Sequence, residues 1–295
     1  MRVTTGSTMR HTVDQLAISL ERLQDSQRRL STGKAQERMS DDPRAASDVL
    51  FLRGRIQRHE QLDRTNADTR SRLAVADTTL VTASNALNRA TELAVRGGNS
   101  GSLDTDSRLA IANEVASLRT ELLGSANTSY LGRPLFSGTA GGAAYDDSAT
   151  YNGNGTVEVR TVGDGVKVAA NVTGEQVFGD QAAPEGDVFA VLERMSLAIA
   201  TGDITSLDAE RVNLDEARVR LGTAMAEVGR RVSQLETVSA DASVRKLRLV
   251  EQLSLIEDVD IAEALIQVNA QDNSYQAALS AAAKAMPPSL AQYLR

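Results

Sequence analysis

The chain has no cysteine, no tryptophan, only two histidines and 3% aromatic residues among its 295 residues. Without cysteine it can form no disulfide, thiolate nucleophile or cysteine-ligated zinc site. His11 and His59 cannot supply a three-histidine metal site, and no nucleophile, base and orienting acid can be assembled around them. We therefore expect a protein that is not an enzyme and that uses no cofactor or metal. Such a composition is suited to helices packed along long seams.

The charge and the apolar runs exclude two further classes of partner. The net charge is −7, and no basic face interleaved with aromatic residues is present, so we expect no nucleic-acid binding. The longest apolar runs are too short to span a bilayer, so we expect no membrane insertion. The opening residues MRVTTGSTMRH lack the apolar core of a cleavable signal peptide.

Two motifs resemble ligand sites without completing them. Gly33-Lys34 looks like the end of a phosphate-binding loop, but Arg28 and Ala35 stand where that loop needs a glycine and a hydroxyl residue. The acidic run from Glu257 to Asp260 lacks the glycine of a calcium loop and lies in a helical period, so we interpret it as a solvated helix face.

Composition divides the chain into three parts. Residues 1–136 and 187–286 have helical periodicity, and no proline interrupts the chain between 185 and 286. Residues 137–187 contain 10 of the 21 glycines and eight acidic but only two basic residues. The predicted fold is mainly α with a β-rich insert, a long antiparallel, coiled-coil-like rod with paired N- and C-terminal helices. The predicted domains are a terminal helical polymerisation region (1–44 with 250–295), a helical rod (45–136 with 187–249) and an inserted β-rich domain (137–186).

Regular apolar stripes support the helical prediction. One stripe steps by three and four residues without a miss, which places its members on one helix face: Leu73, Ala76, Leu80, Ala83, Leu87, Ala90 and Ala94. Residues 1–70 have a charge balance of +3, whereas residues 249–283 contain six acidic residues and no lysine or arginine. We therefore expect the two terminal segments to pair antiparallel.

The insert has the pattern of short strands. Its runs TVEVRTV and VKVAANV are joined by the turn signal Asp164-Gly165, which predicts a hairpin. None of the helical stripes extends into it. We therefore expect a surface module that a short linker between residues 139 and 184 can replace.

The stretch LSTGKAQERMSDDPRAA interrupts the first amphipathic helix. Gly33 permits the positive φ that ends a helix, and Asp41 or Asp42 can accept N–H bonds at the start of the next one, with Pro43 in its first turn. The sequence therefore predicts a hinge between a terminal helix and a second helical segment.

This stretch closely resembles the N-terminal segment of the bacterial flagellin family. ATELAVRGGNSGSLDTDSR, NTSYLGRPLFSGT, AEVGRRVSQLE and LSLIEDVDIAEALIQ resemble further family segments in the same order. The start MRVTTGSTM, the LFSGT segment and the ending SLAQYL are similar to the hook-associated junction proteins of this family. The resemblance implies hinge and motif residues Leu30, Ser31, Thr32, Gly33, Lys34, Asp41, Asp42, Pro43 and Asn66. Apolar spacing adds a predicted assembly seam of Leu16, Leu20, Leu23, Leu253, Ile256 and Leu265.

The resemblance implies a structural role in the bacterial flagellum, outside the cell. The chain is expected to be exported by the flagellar type III apparatus after binding a chaperone, and to form a homo-oligomeric layer between the other junction protein and flagellin. Two alternatives stay open. One is a flagellin filament subunit, and the other is a cytoplasmic coiled-coil signalling or adaptor protein with a ligand-binding β module.

Overall fold

A computed structural model describes residues 5–35, 42–99, 104–183 and 185–285. The chain divides into two compact units, one of Met1–Arg58 with Arg245–Arg295 and one of His59–Val244. In chain order the elements are α1 (Thr5–Thr32), α2 (Pro43–Gly98), α3 (Thr105–Ala126), β1 (Ser129–Tyr130), β2 (Arg133–Pro134), β3 (Val159–Thr161), β4 (Lys167–Ala169), α4 (Gly174–Phe178), α5 (Val188–Thr201), α6 (Ile204–Glu257) and α7 (Ile261–Ala285).

The two terminal helices form a pair within the first unit. Helices α1 and α7 lie against each other, and Lys34, just beyond the end of α1, bridges to Asp258, just before the start of α7. Because the end of one helix lies beside the start of the other, the pair is antiparallel. The predicted pairing of the two termini is confirmed.

One hydrophobic core extends through the second unit. All seven residues of the predicted α2 stripe are buried in it, together with apolar residues of α3, α5 and α6. Helices α3 and α5 pack together, and the Ser196 hydroxyl donates to the carbonyl of Ala112 at 3.0 Å. Asp104 caps α3, because its side chain accepts the Ser107 N–H at 2.9 Å.

The predicted hairpin is present as β3 and β4. The two strands are antiparallel, with Thr161 opposite Lys167, and Gly165 takes a φ of +76° in the connecting turn. A second hairpin that the sequence analysis did not predict, β1 with β2, precedes the insert and pairs Tyr130 with Arg133. The predicted mainly α fold with a β-rich insert is confirmed.

The insert does not form a compact unit of its own. Its Tyr145 and Phe178 contact Phe136 and Phe189 from outside the segment, with ring centroids 5.0 Å apart for Tyr145 and Phe189 and 5.4 Å for Phe136 and Phe178. These aromatic residues and Val162 belong to the same core as the α2 stripe. Segment 137–186 therefore packs as part of the second unit, which contradicts the expectation of a removable surface module.

The C-terminal half is not one uninterrupted helix. Gly202, in the left-handed conformation with φ +76°, ends α5, and Asp203 then accepts N–H bonds from Thr205 and Ser206 at the start of α6. A second break separates α6 from α7, where Asp260 accepts N–H bonds from Ala262 and Glu263. The interpretation of residues 257–260 as a continuous helix face is therefore wrong. Within the described ranges, no helix is both long and apolar enough to cross a membrane.

Candidate assembly surface

The predicted hinge is joined to the α6–α7 break by backbone hydrogen bonds. The Ala35 N–H donates to the carbonyl of Glu257 at 2.8 Å, and the Val259 N–H donates to the carbonyl of Gly33 at 3.0 Å. Gly33 has a φ of +69°, as the predicted helix end requires. We call the segments 33–35 and 257–259 together the joint.

Ion pairs connect the same segments. The Lys34 ammonium lies 2.7 Å from Asp258 and 3.1 Å from Glu257, whose carboxylate also accepts from Arg53 of α2 at 2.7 Å. The hydrogen bond to Asp258, followed by that to Glu257, raises the pKa of Lys34 above its usual value. Lys34, followed by Ser254, lowers the pKa of Asp258. Most of these groups face solvent, so their charges orient the joint more than they stabilise it.

The remaining residues of the hinge motif lie at the flanking helix ends. The Thr32 hydroxyl donates to the carbonyl of Arg28 and accepts the Lys34 N–H, while Leu30 is half-buried and Ser31 is exposed. Asp42 accepts the N–H groups of Arg44 and Ala45 at 3.0 and 3.1 Å, and Pro43 is the first residue of α2. This is the predicted capping arrangement. Asp41 lies outside the described residues.

Helix α1 has two apolar faces. The face buried or half-buried in the monomer steps by three and four residues: Thr12, Leu16, Ser19, Leu23, Ser26 and Leu30. Leu16 and Leu23 of the predicted seam belong to this inner face, and Leu23 is only 7% exposed. Leu20 does not, because it is 37% exposed, and Val13, one helical repeat before it on the same side, is also exposed.

Helix α7 repeats this arrangement. Its inner face consists of small and polar residues together with Val268: Ala264, Val268, Gln271, Tyr275, Ala278 and Ala282. Leu265 of the predicted seam is 51% exposed, and Ile261, Ile266 and Leu279 are also exposed. Leu253 and Ile256, near the end of α6, are half-buried within the monomer. Leu255 between them is 81% exposed and was not predicted.

Large apolar side chains therefore remain exposed on both members of the terminal pair. Exposed apolar side chains on two paired helices are typical of protein–protein contact surfaces. The described part of the chain offers no competing metal site, since no group of three acidic or histidine side chains in it could hold a metal ion. The exposed apolar side chains of the terminal pair can pack against helices of other molecules.

Asn66 lies elsewhere, in the second unit. It is 3% exposed, and its side-chain amide donates to the carbonyl of Val162 in the β3–β4 turn at 3.0 Å. The motif residue therefore connects α2 to the insert, and it is not brought together with the joint. The sequence analysis did not predict that Glu257, Asp258 and Arg53 form ion pairs at the joint, although the acidic run before α7 was visible in the sequence.

The chain is similar in sequence to known flagellar proteins. The family of the bacterial flagellin N-terminal helical region matches residues 4–141. The flagellar hook-associated protein 3 of Escherichia coli strain K12 is 27% identical over 275 residues, which cover 84% of this chain and 86% of that protein. The flagellin of Bacillus subtilis strain 168 is 26% identical over 309 residues and covers all of both chains.

A solved structure has the same fold. A flagellar hook-associated protein from Vibrio parahaemolyticus superposes with a TM-score of 0.68 at 26% identity, covering 74% of this chain and 99% of that one. The matched helical region, the relatives and the paired terminal helices lead to one conclusion: the chain is similar in sequence and fold to bacterial flagellins and flagellar hook-associated proteins.

Proposed function

We propose that this chain is a structural subunit of the bacterial flagellum that connects the hook to the flagellin filament. The observation that carries the proposal is the outer apolar face of the terminal pair, with Val13, Leu20, Leu265 and Ile266 exposed in the monomer. An apolar helix face that its own chain leaves open is buried when it packs against helices of neighbouring subunits. The function is assembly, and catalysis plays no part in it.

The binding partners of such a subunit follow from its position between the hook and the filament. Copies of the chain form a layer, with the other hook-associated junction protein on the hook side and flagellin on the filament side. The hook-associated protein of Vibrio parahaemolyticus, whose solved structure this chain matches at a TM-score of 0.68, supports a junction over a filament subunit. Leu16, Leu23, Leu253 and Ile256 position the pair from within, while Leu20 and Leu265 face the neighbours.

The route to that position is export without a cleaved signal peptide. The exposed apolar faces need protection before assembly, which is the role we assign to a cytoplasmic export chaperone. The flagellar type III apparatus then delivers the chain outside the cell. Similarity to flagellar proteins supports this route.

Immunogold labelling of isolated hook–filament structures tests the proposal. A strain that lacks this chain is expected to secrete flagellin without filaments, and reintroducing the chain should restore motility and label the junction. Labelling along the whole filament, or long filaments grown from the purified chain alone, would instead identify a flagellin. Recovery of the chain only inside cells would support the adaptor alternative.

The Leu265→Asp variant tests the surface itself. A charge in a contact that becomes desolvated disfavours assembly strongly, whereas the exposed position tolerates it in the monomer. We expect normal export and loss of junctions. The control is Leu109→Asp, at an exposed leucine of α3 in the second unit. Full motility of the Leu265→Asp strain would rule out this face.

A further inference from the structure

The tip of the β1–β2 hairpin presents an unusual residue. The two central residues of its turn, Leu131 and Gly132, have φ values of +48° and +76°. Turns with positive φ at both central positions favour asparagine or aspartate followed by glycine, because a bulky side chain is strained there. Leu131 is the bulkiest of the described residues with positive φ, and its side chain is 80% exposed.

Hydrogen bonds fix the base of this hairpin to the rest of its unit. The Leu135 N–H donates to the carbonyl of Thr128 at 3.0 Å, and the Arg72 guanidinium donates to the carbonyl of Pro134 at 3.3 Å. Leu135 itself is 2% exposed within the core. The strained conformation is therefore fixed by the fold, and the exposed leucine contributes little to packing within its own chain. A backbone outlier of this kind points to a role outside the monomer.

The neighbouring charges indicate what the tip contacts. Arg133, directly after the turn, is exposed, so the tip combines an apolar side chain with a cation. Residues 137–187 carry eight acidic and two basic residues, and Asp146, Asp147 and Glu175 among them are exposed. The positive charge of Arg133 is complementary to the net negative charge of this segment.

We propose that Leu131 and Arg133 form a docking tip for the acidic segment 137–187 of a second copy of this chain. The inference deepens the proposed function, on which it rests, by assigning a contact within the layer. Where each copy binds one neighbour through its tip and another through its acidic segment, the contact is heterologous. Contacts of this type repeat around a ring or helix, as a layer requires.

The absence of native cysteine allows a direct test. The variant Leu131→Cys carries the only thiol of the chain, which can be labelled with a benzophenone maleimide, incorporated into flagella and irradiated. We expect a product of twice the 31.4 kDa mass of the chain, with the crosslink mapped by mass spectrometry to residues 137–187. A crosslink to flagellin, to the other junction protein or to another segment of the second copy overturns the proposal, as does no crosslink.

Whether the chain is incorporated into flagella distinguishes a failure of this inference from a failure of the proposed function. If unlabelled wild-type chain is absent from isolated flagella, the proposed function fails. If the wild-type chain is present and the Leu131 probe captures anything other than the acidic segment, only the docking tip fails. Labelling at Leu197→Cys, an exposed leucine of α5, is the matched control and should give no crosslink to residues 137–187.

The Leu131→Asn variant gives an independent test. Asparagine fits the turn better, so we expect the unfolding temperature of the monomer to rise by about 2–4 °C. The same change should lower incorporation into flagella at least tenfold. A structural role alone predicts that stability and incorporation change in the same direction. Unchanged or increased incorporation of a stabilised Leu131→Asn chain would overturn the proposal.

Discussion

Gly33 and Gly54 differ in what they do for the fold, although an added Cβ would meet no atom within 4 Å at either position. Gly33 has a positive φ at the joint, whereas Gly54 lies within α2. We expect Gly33→Ala to lower the free energy of unfolding of the purified monomer by about 1 kcal/mol. Gly54→Ala should raise it by about 0.5–1 kcal/mol through helix propensity. Thermal unfolding followed by circular dichroism measures both, and effects of the same sign would contradict this account.

Asn66 allows a similar comparison in the second unit. Asn66→Ala removes the donor to the buried carbonyl of Val162, and we expect a loss of about 1–3 kcal/mol in the free energy of unfolding. Asn88 accepts a hydrogen bond from Arg218 at the surface, so Asn88→Ala is the control, with a change within about 0.5 kcal/mol. Urea unfolding of both variants measures the difference. Equal losses would show that the buried bond is not what matters.

The Glu227 carboxylate makes the free energy of unfolding depend on pH. It accepts bonds from Arg230 and Arg231, and Arg230 first among them lowers its pKa to about 2. Arg231 in turn donates to the carbonyl of Asn171 in the insert at 2.7 Å. Because the unfolded chain binds this proton more tightly, the contribution of Glu227 is present above pH 4.5 and is lost as pH falls towards 2.

The Glu227→Gln variant tests this contribution. Its free energy of unfolding should fall less steeply than that of the wild type between pH 4.5 and 2, measured by urea titration at each pH. Glu216→Gln, at an exposed carboxylate of the same helix, is the control and should follow the wild-type slope. Parallel curves for the wild type and Glu227→Gln would show that the ion pairs do not link acid to stability.

Single residues were predictable where their role is local. The helix end at Gly33 and the cap at Asp42 follow from backbone preferences within a few neighbours, and both are present. The partners of Lys34 were not predictable, because Asp258 lies 224 residues further along the chain. No local preference encodes such a pairing, which depends on how α1 and α7 come together.

At the scale of elements, the face of α1 was only partly predictable. The sequence offers two interleaved stripes that share Leu16, Leu23 and Leu30. The stripe that is buried in the structure continues through Ser19, whereas the apolar spacing of the sequence predicted a stripe through Leu20. The inner face of α7 includes the buried alanines Ala264 and Ala282, so a small residue such as Ser19 is compatible with the inner face of α1. Which of two stripes is buried depends on the partner helix.

The break between α6 and α7 was missed for a different reason. Residues 257–260 contain neither glycine nor proline, the two strongest signals for the end of a helix. Asp260 caps α7 through its side chain, and Asp258 pairs with Lys34 across the joint. By contrast, Gly202 followed by Asp203 was a recognisable end-and-cap signal within a stretch predicted as continuous helix.

The two faces of the terminal pair can be separated by mutation. Leu23→Ala removes an inner contact, and we expect the opening free energy of α1 and α7 to fall by about 2 kcal/mol, measured by amide hydrogen exchange. Leu20→Ala, on the outer face, should change it by less than about 0.5 kcal/mol while reducing incorporation into flagella. If Leu20→Ala lowers protection as much as Leu23→Ala does, the two faces are wrongly assigned.

At the scale of the whole molecule, the insert is part of the core of its unit. Replacing residues 139–183 with a short glycine–serine linker removes Tyr145 and Phe178, which cover Phe136 and Phe189. We expect a lower unfolding temperature and aggregation of the shortened chain, because buried apolar area becomes exposed. Differential scanning calorimetry and light scattering measure both. A soluble variant with an unchanged transition would restore the interpretation of a separable module.

The joint also has a consequence for the order of folding. The bond between Lys34 and Asp258 closes a loop of 224 residues, and closing so long a loop carries a cost in chain entropy. If the second unit folds first, it brings His59 and Val244 together and shortens the remaining loop, which lowers the closure cost by roughly 1.5 kcal/mol. The pairing of the two chain ends is then the last event in folding, so it is the step that a change at the joint would slow first.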